Sequence, residues 1–188
     1  MSSSLAGKCL LASPFLESTI FCKSIVLILR HSAHQTFGLI LNRPTEVPLA
    51  DVVSRVCELK CVHDGPLLNG GPVDGLLVAI HDHDATGGQT CARGLYVTND
   101  QEDLKKLFVT PEANIKLFEG LSRWSAGQLE SEIQCGYWFV SAISPSEIMS
   151  NEDLWGAMVK RYGDSILGID AEYSGKSNQG SPFDPRRN

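Results

Sequence analysis

The stretch Trp124-Ser125-Ala126-Gly127-Gln128-Leu129-Glu130-Ser131-Glu132 decides how this chain is interpreted. It combines a turn-forming glycine, a large aromatic side chain and several polar groups, which is costly unless the backbone or a partner needs them. Ser125 followed by Gln128 matches a capping box, in which two side chains bond to backbone N–H groups at a helix start. We therefore predict that a helix starts here, with Trp124 packed in the core beside it, and that Gly136 ends this helix.

Two shorter segments share this mixture, Asn42-Arg43-Pro44 and Gly70-Gly71-Pro72-Val73. The first leaves an apolar run at a strand end, where binding residues often lie, although an arginine that braces the turn through carbonyl groups explains it equally well. The second offers backbone N–H groups to an anion, although a tight turn with positive φ is the more common use of such glycines. The candidate binding residues are Asn42, Arg43, Gly70, Gly71, Trp124, Gln128 and Glu132.

Composition restricts the class of protein. The 188 residues fit one domain, and 16 Lys+Arg against 22 Asp+Glu argue against direct nucleic-acid binding, which usually needs a basic face. The first residues lack the basic region of an export signal, and the longest apolar run, 25–29, is far below the roughly 20 residues of a membrane span. We expect a cytoplasmic protein without membrane contact.

The hydrophobic pattern predicts helices and strands at no regular interval. This favours an α+β fold with a mixed, curved, barrel-like sheet surrounded by helices, rather than a doubly wound parallel sheet. We expect one domain over residues 1–170 and a disordered tail over 171–188, where apolar residues are scarce. Predicted strands cover 8–12, 24–29, 37–42, 76–80, 95–98, 115–118 and 137–143; predicted helices cover 49–59, 100–107, the segment from 144, and 154–162 with its end at Gly163; a polar connection covers 82–94.

Histidines and cysteines raise the alternative of a thiol or metal sensor. The pattern His81-Asp82-His83-Asp84 supplies two alternate histidines without a third ligand fixed by spacing, and Cys57-x-x-x-Cys61-x-His63 lacks a second half-site. A solvated strand end and buried free thiols are the favoured explanations. We therefore predict no metal and no cofactor.

A hydrolase-like enzyme with a dispersed site is the other alternative. The chain has no Gly-x-Ser-x-Gly elbow and no glycine-rich phosphate loop between a strand and a helix. Glu130 and Glu132 face different sides of the predicted helix, so they do not form an acid/base pair. No catalytic residue is predicted.

Taken together, the motifs resemble the YqgE/AlgH family of bacterial proteins. One departure is the run Gly120-Leu121-Ser122-Arg123-Trp124, where members usually carry a Gly-Tyr-Ala-Gly-Trp-like sequence, so the shape of this loop is expected to differ. The resemblance implies a small barrel-like sheet surrounded by helices and no established reaction; some relatives are described as regulators of transcription. It covers 7–163 through the segments 7–14, 21–29, His31, 38–44, 70–73, 124–132, Trp138 and 154–155.

The functional expectation follows from these motifs. We expect a non-enzymatic binding or regulatory protein that recognises a protein or small-molecule partner. Recognition is assigned to the loops around Asn42-Arg43, Gly70-Gly71 and 124–128. The oligomeric state is left open by the sequence.

Overall fold

Ten strands form a sheet that curls around an apolar interior, and five α-helices cover it, in the computed structural model, which describes residues 4–167. The strands are β1 (Cys9–Ala12), β2 (Ile25–His31), β3 (Gln35–Ile40), β4 (Pro44–Pro48), β5 (Pro66–Asn69), β6 (Val73–His81), β7 (Gln89–Ala92), β8 (Leu95–Thr98), β9 (Ile115–Ser125) and β10 (Trp138–Ser141). The helices are α1 (Leu49–Cys57), α2 (Gln101–Phe108), α3 (Gln128–Gln134), α4 (Pro145–Met149) and α5 (Trp155–Ile166).

The sheet is mixed and is not closed. Its main strand order is β10-β1-β2-β3-β9-β6-β8-β7, while β5 joins β4 to β9. Within residues 4–167 the strand pairs are antiparallel except β5 with β9. The curl brings the segment before β1 close to β7, and a Cβ atom on Gly7 would lie 3.5 Å from the Cys91 carbonyl oxygen. The predicted α+β class with a mixed, curved sheet is confirmed.

Alternation along the strands produces an inner and an outer apolar face. Cys9 and Leu11 of β1 face inward, whereas Leu10 and Ala12 face outward. The inner core is covered at one end by α4 and α5, through Ile148 and Met158 among others. On the outer face, α1 and α2 pack on one apolar cluster and α3 packs on another.

Gly120 reverses this alternation within β9. Phe118 belongs to the inner core and Trp124 to the outer cluster, although residues six positions apart face the same side of a regular strand. Gly120 has a φ of +76°, and a Cβ atom there would lie 2.7 Å from the Gly71 carbonyl oxygen. The segment that departs from the family pattern is therefore part of a strand rather than a loop.

Several predicted helix ends are confirmed. The Asp100 side chain accepts hydrogen bonds from the N–H groups of Glu102 and Asp103 at the start of α2. Ser144 and Glu147 form a capping box at the start of α4. Gly136 ends α3 in a Schellman motif, since its N–H donates to Ile133 and the next N–H, of residue 137, donates to the carbonyl of residue 132.

The predicted capping box at Ser125 and Gln128 is wrong in part. Ser125 is the last residue of β9, and Gly127, with a φ of +71°, is the N-cap residue of α3. Only half of the box forms, because the Ser125 N–H donates to Gln128 Oε1 at 3.0 Å. The chain needs a left-handed residue to turn from strand into helix within so few residues, and glycine takes that position.

Other boundaries differ for reasons of tertiary pairing. The segment predicted as a polar connection contains β7, which pairs with β8 and buries only the side chain of Cys91, so it has no apolar run. The proline-containing β4 pairs only with β5, where missing N–H donors are tolerated. Helix α5 continues past Gly163 to Ile166. The predicted tail, 171–188, lies outside the described residues.

Candidate functional site

The carboxylate of Glu132 accepts hydrogen bonds from two buried tryptophans, Trp124 and Trp138. Trp124 Nε1–H and Trp138 Nε1–H donate to Glu132 Oε2 at 2.9 and 2.8 Å. Both indoles are 2% exposed, so their N–H groups need an internal acceptor. Phe21 stacks on Trp124 and meets Trp138 edge-on, with ring centroids 6.3 and 5.2 Å apart. We call Phe21, Trp124, Glu132 and Trp138 the tryptophan cluster.

Gln128 and Arg43 extend this cluster. Gln128 Nε2 donates to Glu132 Oε1 at 2.9 Å. Arg43 donates to the carbonyl oxygens of residues 20 and 22 at 3.1 and 2.9 Å and to Ser24 Oγ at 2.9 Å. It therefore holds the segment that carries Phe21. These contacts match the alternative in which the arginine braces the turn through carbonyl groups.

Asn42 is bonded internally as well. Its Oδ1 accepts from the Ile25 N–H at 2.9 Å, and its Nδ2 donates to the Lys23 carbonyl at 2.9 Å and to Asp153 Oδ1 at 3.3 Å. The residue ties the end of β3 to the start of β2 and to the segment before α5. It also lines a small cleft, described below with Lys116.

Gly70 and Gly71 pack directly against the backbone of β9. A Cβ atom on Gly70 would lie 2.4 Å from the Gly120 oxygen, and one on Gly71 would lie 2.4 Å from the Leu121 carbonyl carbon. The Gly70 N–H donates to the Glu119 carbonyl at 2.9 Å, and the Gly71 N–H donates to Asn69 Oδ1 at 2.9 Å. Glycine is needed here for close approach, and both N–H groups already have internal acceptors.

The predicted binding residues thus form internal contacts around β9. The structure connects Arg43 through Phe21 to Trp124 and Glu132, and places Gly70 and Gly71 on the neighbouring stretch of the same strand. Their contact with a ligand stays a prediction.

A larger cleft opens at the end of the sheet that α4 and α5 leave uncovered. It has a volume of 510 Å³, within the usual range of small-molecule sites. Its wall continues the inner apolar core. We call it the mouth cleft; its apolar wall consists of Leu29, Phe37, Leu76, Val78, Val97 and Leu121.

The rim of the mouth cleft carries three charged groups. Asp100 caps α2, and Asp103 Oδ1 pairs with Lys106 Nζ at 3.3 Å. Arg30 is exposed, and its guanidinium has no hydrogen-bond or ion-pair partner among residues 4–167. The unpaired cation is suited to an anionic group on a ligand whose apolar part enters the cleft.

A hydrolase-like site would need a nucleophile beside a base. The one His–carboxylate pair within residues 4–167 joins His31 Nε2 to Glu130 Oε1 at 2.8 Å. The Leu5 N–H donates to His31 Nδ1, so Nε2 carries the proton and donates to Glu130. Ser32 Oγ donates to the Gln35 carbonyl instead of to the ring. Both ring nitrogens are occupied, and the pair ties the N-terminal segment to α3.

Of the histidines of the sensor alternative, His63 and His83 have separate hydrogen-bond partners, whereas the ring nitrogens of His81 have none among the described residues. His83 Nδ1 lies 2.8 Å from Thr86 Oγ1, and His63 Nε2 lies 2.8 Å from the Leu107 carbonyl. His81 is buried and stacked on Tyr96, and burial lowers its pKa so that the ring is neutral at pH 7. No three His, Cys, Asp or Glu side chains in the described part of the chain are grouped as metal ligands.

Cys9 and Cys91 match the prediction of buried thiols. Both are free and buried, and burial raises the pKa of Cys9 to about 12 and that of Cys91 to about 11. A thiol with such a pKa is almost entirely protonated at neutral pH and reacts slowly. These two cysteines act as small apolar groups of the inner core.

The fold and these motifs define an α+β protein of one family. The family model described as AlgH-like matches residues 9–167. A UPF0301 protein from Bacteroides fragilis is 34% identical over 155 residues, which are 80% of this chain and 77% of the relative. A second UPF0301 protein, from Chlorobium phaeobacteroides, is 34% identical over 84% of this chain and 87% of its own. The chain therefore belongs to the AlgH-like family.

Two solved structures share the fold. The solution structure of AlgH from Pseudomonas aeruginosa is similar with a TM-score of 0.72 at 24% identity, over 91% of this chain and 97% of that chain. The crystal structure of a Corynebacterium diphtheriae protein is similar with a TM-score of 0.69 at 29% identity, over 86% and 88% of the two chains. None of the described helices of the present chain is long and apolar enough to cross a membrane.

Proposed function

We propose that this protein is a non-enzymatic binding or regulatory protein that takes a small ligand into the mouth cleft. The observation that carries the proposal is the uncovered end of the inner core, where Leu29, Phe37 and Leu121 line a concave surface. An apolar ligand part on this surface is stabilised by about 25 cal/mol per Å² removed from water. Arg30 at the rim adds selectivity for one anionic group, such as a carboxylate or sulfonate.

The motif residues support this function through the sheet. In the β3–β9 pair, Thr36 lies opposite Trp124, and the next residue, Phe37, contributes its side chain to the mouth cleft. Anchoring Trp124 on the outer face therefore fixes the strands that form the wall on the inner face. Direct recognition by Asn42, Arg43, Gly70, Gly71, Trp124, Gln128 or Glu132 is the second form of the proposal, and it requires these groups to exchange internal bonds for ligand bonds.

Fluorescence titration with 1-anilinonaphthalene-8-sulfonate tests the proposal, because this probe has an apolar body and one anionic group. We expect saturable binding to the folded protein. Arg30→Ala should weaken it by at least about tenfold, since a hydrogen bond to a charged group contributes about 1.5–3 kcal/mol. Leu76→Trp places a bulky ring in the cleft from a partly exposed position and should prevent binding.

The matched control is Arg55→Ala, which removes an exposed arginine from α1 outside the mouth cleft. It should leave the affinity unchanged. Equal weakening by Arg30→Ala and Arg55→Ala would show general charge attraction, and unchanged binding in Leu76→Trp would place the probe elsewhere. Either result contradicts the proposal. Circular dichroism of each variant confirms that the fold is intact.

A further inference from the structure

Lys116 occupies an unusual position at the end of the inner core that α4 and α5 cover. It lies on β9 opposite Ile80, and its side chain faces inward like that of Phe118, two residues later. The residue is 7% exposed, whereas lysine is almost never this buried without a partner of opposite charge.

Within residues 4–167, the only hydrogen-bond partner of this amine is uncharged. Lys116 Nζ donates to the Ser150 carbonyl in the connection between α4 and α5. No carboxylate lies within ion-pair distance of it among residues 4–167. Asp153 lines the same cleft, but its Oδ1 accepts from Asn42 Nδ2 and from the Trp155 N–H. Burial without charge compensation lowers the pKa of Lys116 to about 8, so that about half of the amine is neutral at pH 8.

A cleft connects this amine with the solvent. It has a volume of 190 Å³ and lies between the end of β3 and the α4–α5 connection. Leu41 and Leu68 form its apolar side, and the exposed residues Asn151, Glu152 and Asp153 form its rim. The volume suits a molecule of a few heavy atoms. The acidic rim repels anions, including acyl phosphates and carboxylates.

We propose that Lys116 captures small, uncharged aldehydes covalently as an imine within this cleft. The neutral amine attacks the carbonyl carbon, a C–N bond forms, and the carbonyl oxygen takes a proton. Loss of this oxygen as water then gives the imine, so one amine and one aldehyde yield one imine and one water without oxidation or reduction. The neutral imine nitrogen carries no hydrogen for the Ser150 carbonyl, so capture releases the contact that holds the α4–α5 connection.

Reductive trapping of the full chain tests this inference. The protein is incubated with propanal and sodium cyanoborohydride at pH 8, and each lysine is followed by peptide mass spectrometry. The exposed Lys60 and Lys160 serve as internal references. We expect Lys116 to be alkylated at least roughly tenfold faster, because an ordinary lysine with a pKa of about 10.4 is less than about 1% neutral at this pH. The rate at Lys116 should rise with pH and level off above about 8.

Two further measurements test the role of the cleft. Asn151→Trp places a ring at the exposed rim and should slow alkylation of Lys116 severalfold while leaving Lys160 unchanged. Replacing propanal by 2-naphthaldehyde should lower the ratio of the Lys116 rate to the Lys160 rate. The inference is overturned if Lys116 reacts no faster than the exposed lysines, or if its rate is indifferent to both Asn151→Trp and aldehyde size.

Discussion

The tryptophan cluster on the outer face and the mouth cleft on the inner face lie on the same strands but differ in chemistry. In the cluster, every polar group has a named partner, and Glu132 alone accepts from two indoles and one amide. In the mouth cleft, the apolar wall is uncovered and Arg30 has no partner within the described residues. The polar groups of the cluster are therefore satisfied without a ligand, whereas the mouth cleft combines an open apolar wall with an unpaired cation.

The difference shows why conspicuous motifs do not have to mark a binding surface. A buried indole N–H needs one acceptor at one distance and angle, so polar residues at such a place are narrowly specified. An apolar wall only needs side chains of suitable size, and Leu29 or Val97 can be replaced by similar residues without a visible motif. In this fold, the conspicuous polar motifs therefore coincide with internal hydrogen bonds.

Glu132→Ala gives the largest expected effect and tests whether the cluster is structural. It leaves two buried indole N–H groups without acceptors, and each such group costs about 1–3 kcal/mol. We expect the free energy of unfolding to fall by about 4 kcal/mol in urea denaturation. Ser131→Ala, exposed on the same helix, should stay within about 0.5 kcal/mol. Equal, small effects of both substitutions would show that the cluster does not stabilise the fold.

Lys116→Met extends the comparison to a polar group buried on the inner face. The folded-state pKa of about 8 lies below the unfolded value near 10.5, so the unfolded chain binds more protons between these pH values. This group therefore lowers stability at pH 7, and its cost disappears as the pH rises from about 8 to 10.5. The size is at most about 3 kcal/mol.

Urea midpoints of the wild type and of Lys116→Met, taken from pH 7 to 10.5, measure this difference. The variant should be the more stable protein at pH 7, and its advantage should shrink as the pH rises. Other groups titrate in both proteins and cancel in the comparison. A constant difference across this range would mean that Lys116 is charged and compensated in the folded state.

Arg43→Ala and Arg30→Ala compare how much an arginine contributes to stability next to the tryptophan cluster and at the rim of the mouth cleft. Arg43→Ala removes donors from two carbonyls and from the buried Ser24 hydroxyl, so we expect a loss of about 2 kcal/mol. Arg30→Ala removes an exposed group that has no partner among residues 4–167 and should change stability by less than about 0.5 kcal/mol. Thermal and urea denaturation measure both losses of stability. A larger loss for Arg30→Ala than for Arg43→Ala would mean that Arg30, rather than Arg43, stabilises the fold.

Gln128→Ala has the smallest expected effect among the substitutions that remove hydrogen bonds. The side chain bonds to the Ser125 N–H and to Glu132, but it is exposed, so water replaces both contacts. We expect a loss of about 0.5–1 kcal/mol in urea denaturation. A loss as large as that of Glu132→Ala would mean that Gln128 is needed to orient the carboxylate towards the indoles.

Local chemistry was predictable where neighbouring residues settle it. The helix starts at Asp100 and Ser144 and the helix end at Gly136 each depend on bonds within one or two turns, and each was predicted from residue type. The prediction that Ser125 is the N-cap residue of α3 was wrong because β9 extends to Ser125 through pairing with β3, which is more than 80 residues away in the sequence. Trp124 lies on the outer face because the alternation of side chains reverses at Gly120, and the alternating pattern of the sequence does not reveal this reversal.

The sequence by itself determined the α+β class and most helix ends, because composition, periodicity and short-range hydrogen bonds carry that information. The family followed from the resemblance of the motifs to those of known members. Only the tertiary structure decided that Gly70, Trp124 and Glu132 are satisfied internally. It also decided that Nη2 of Arg43 bonds to the segment 20–24. It also decided that the clefts lie at Arg30 and Lys116. The physical reason is that burial and partner choice depend on which distant strands the curled sheet brings together, and neither property belongs to a residue alone.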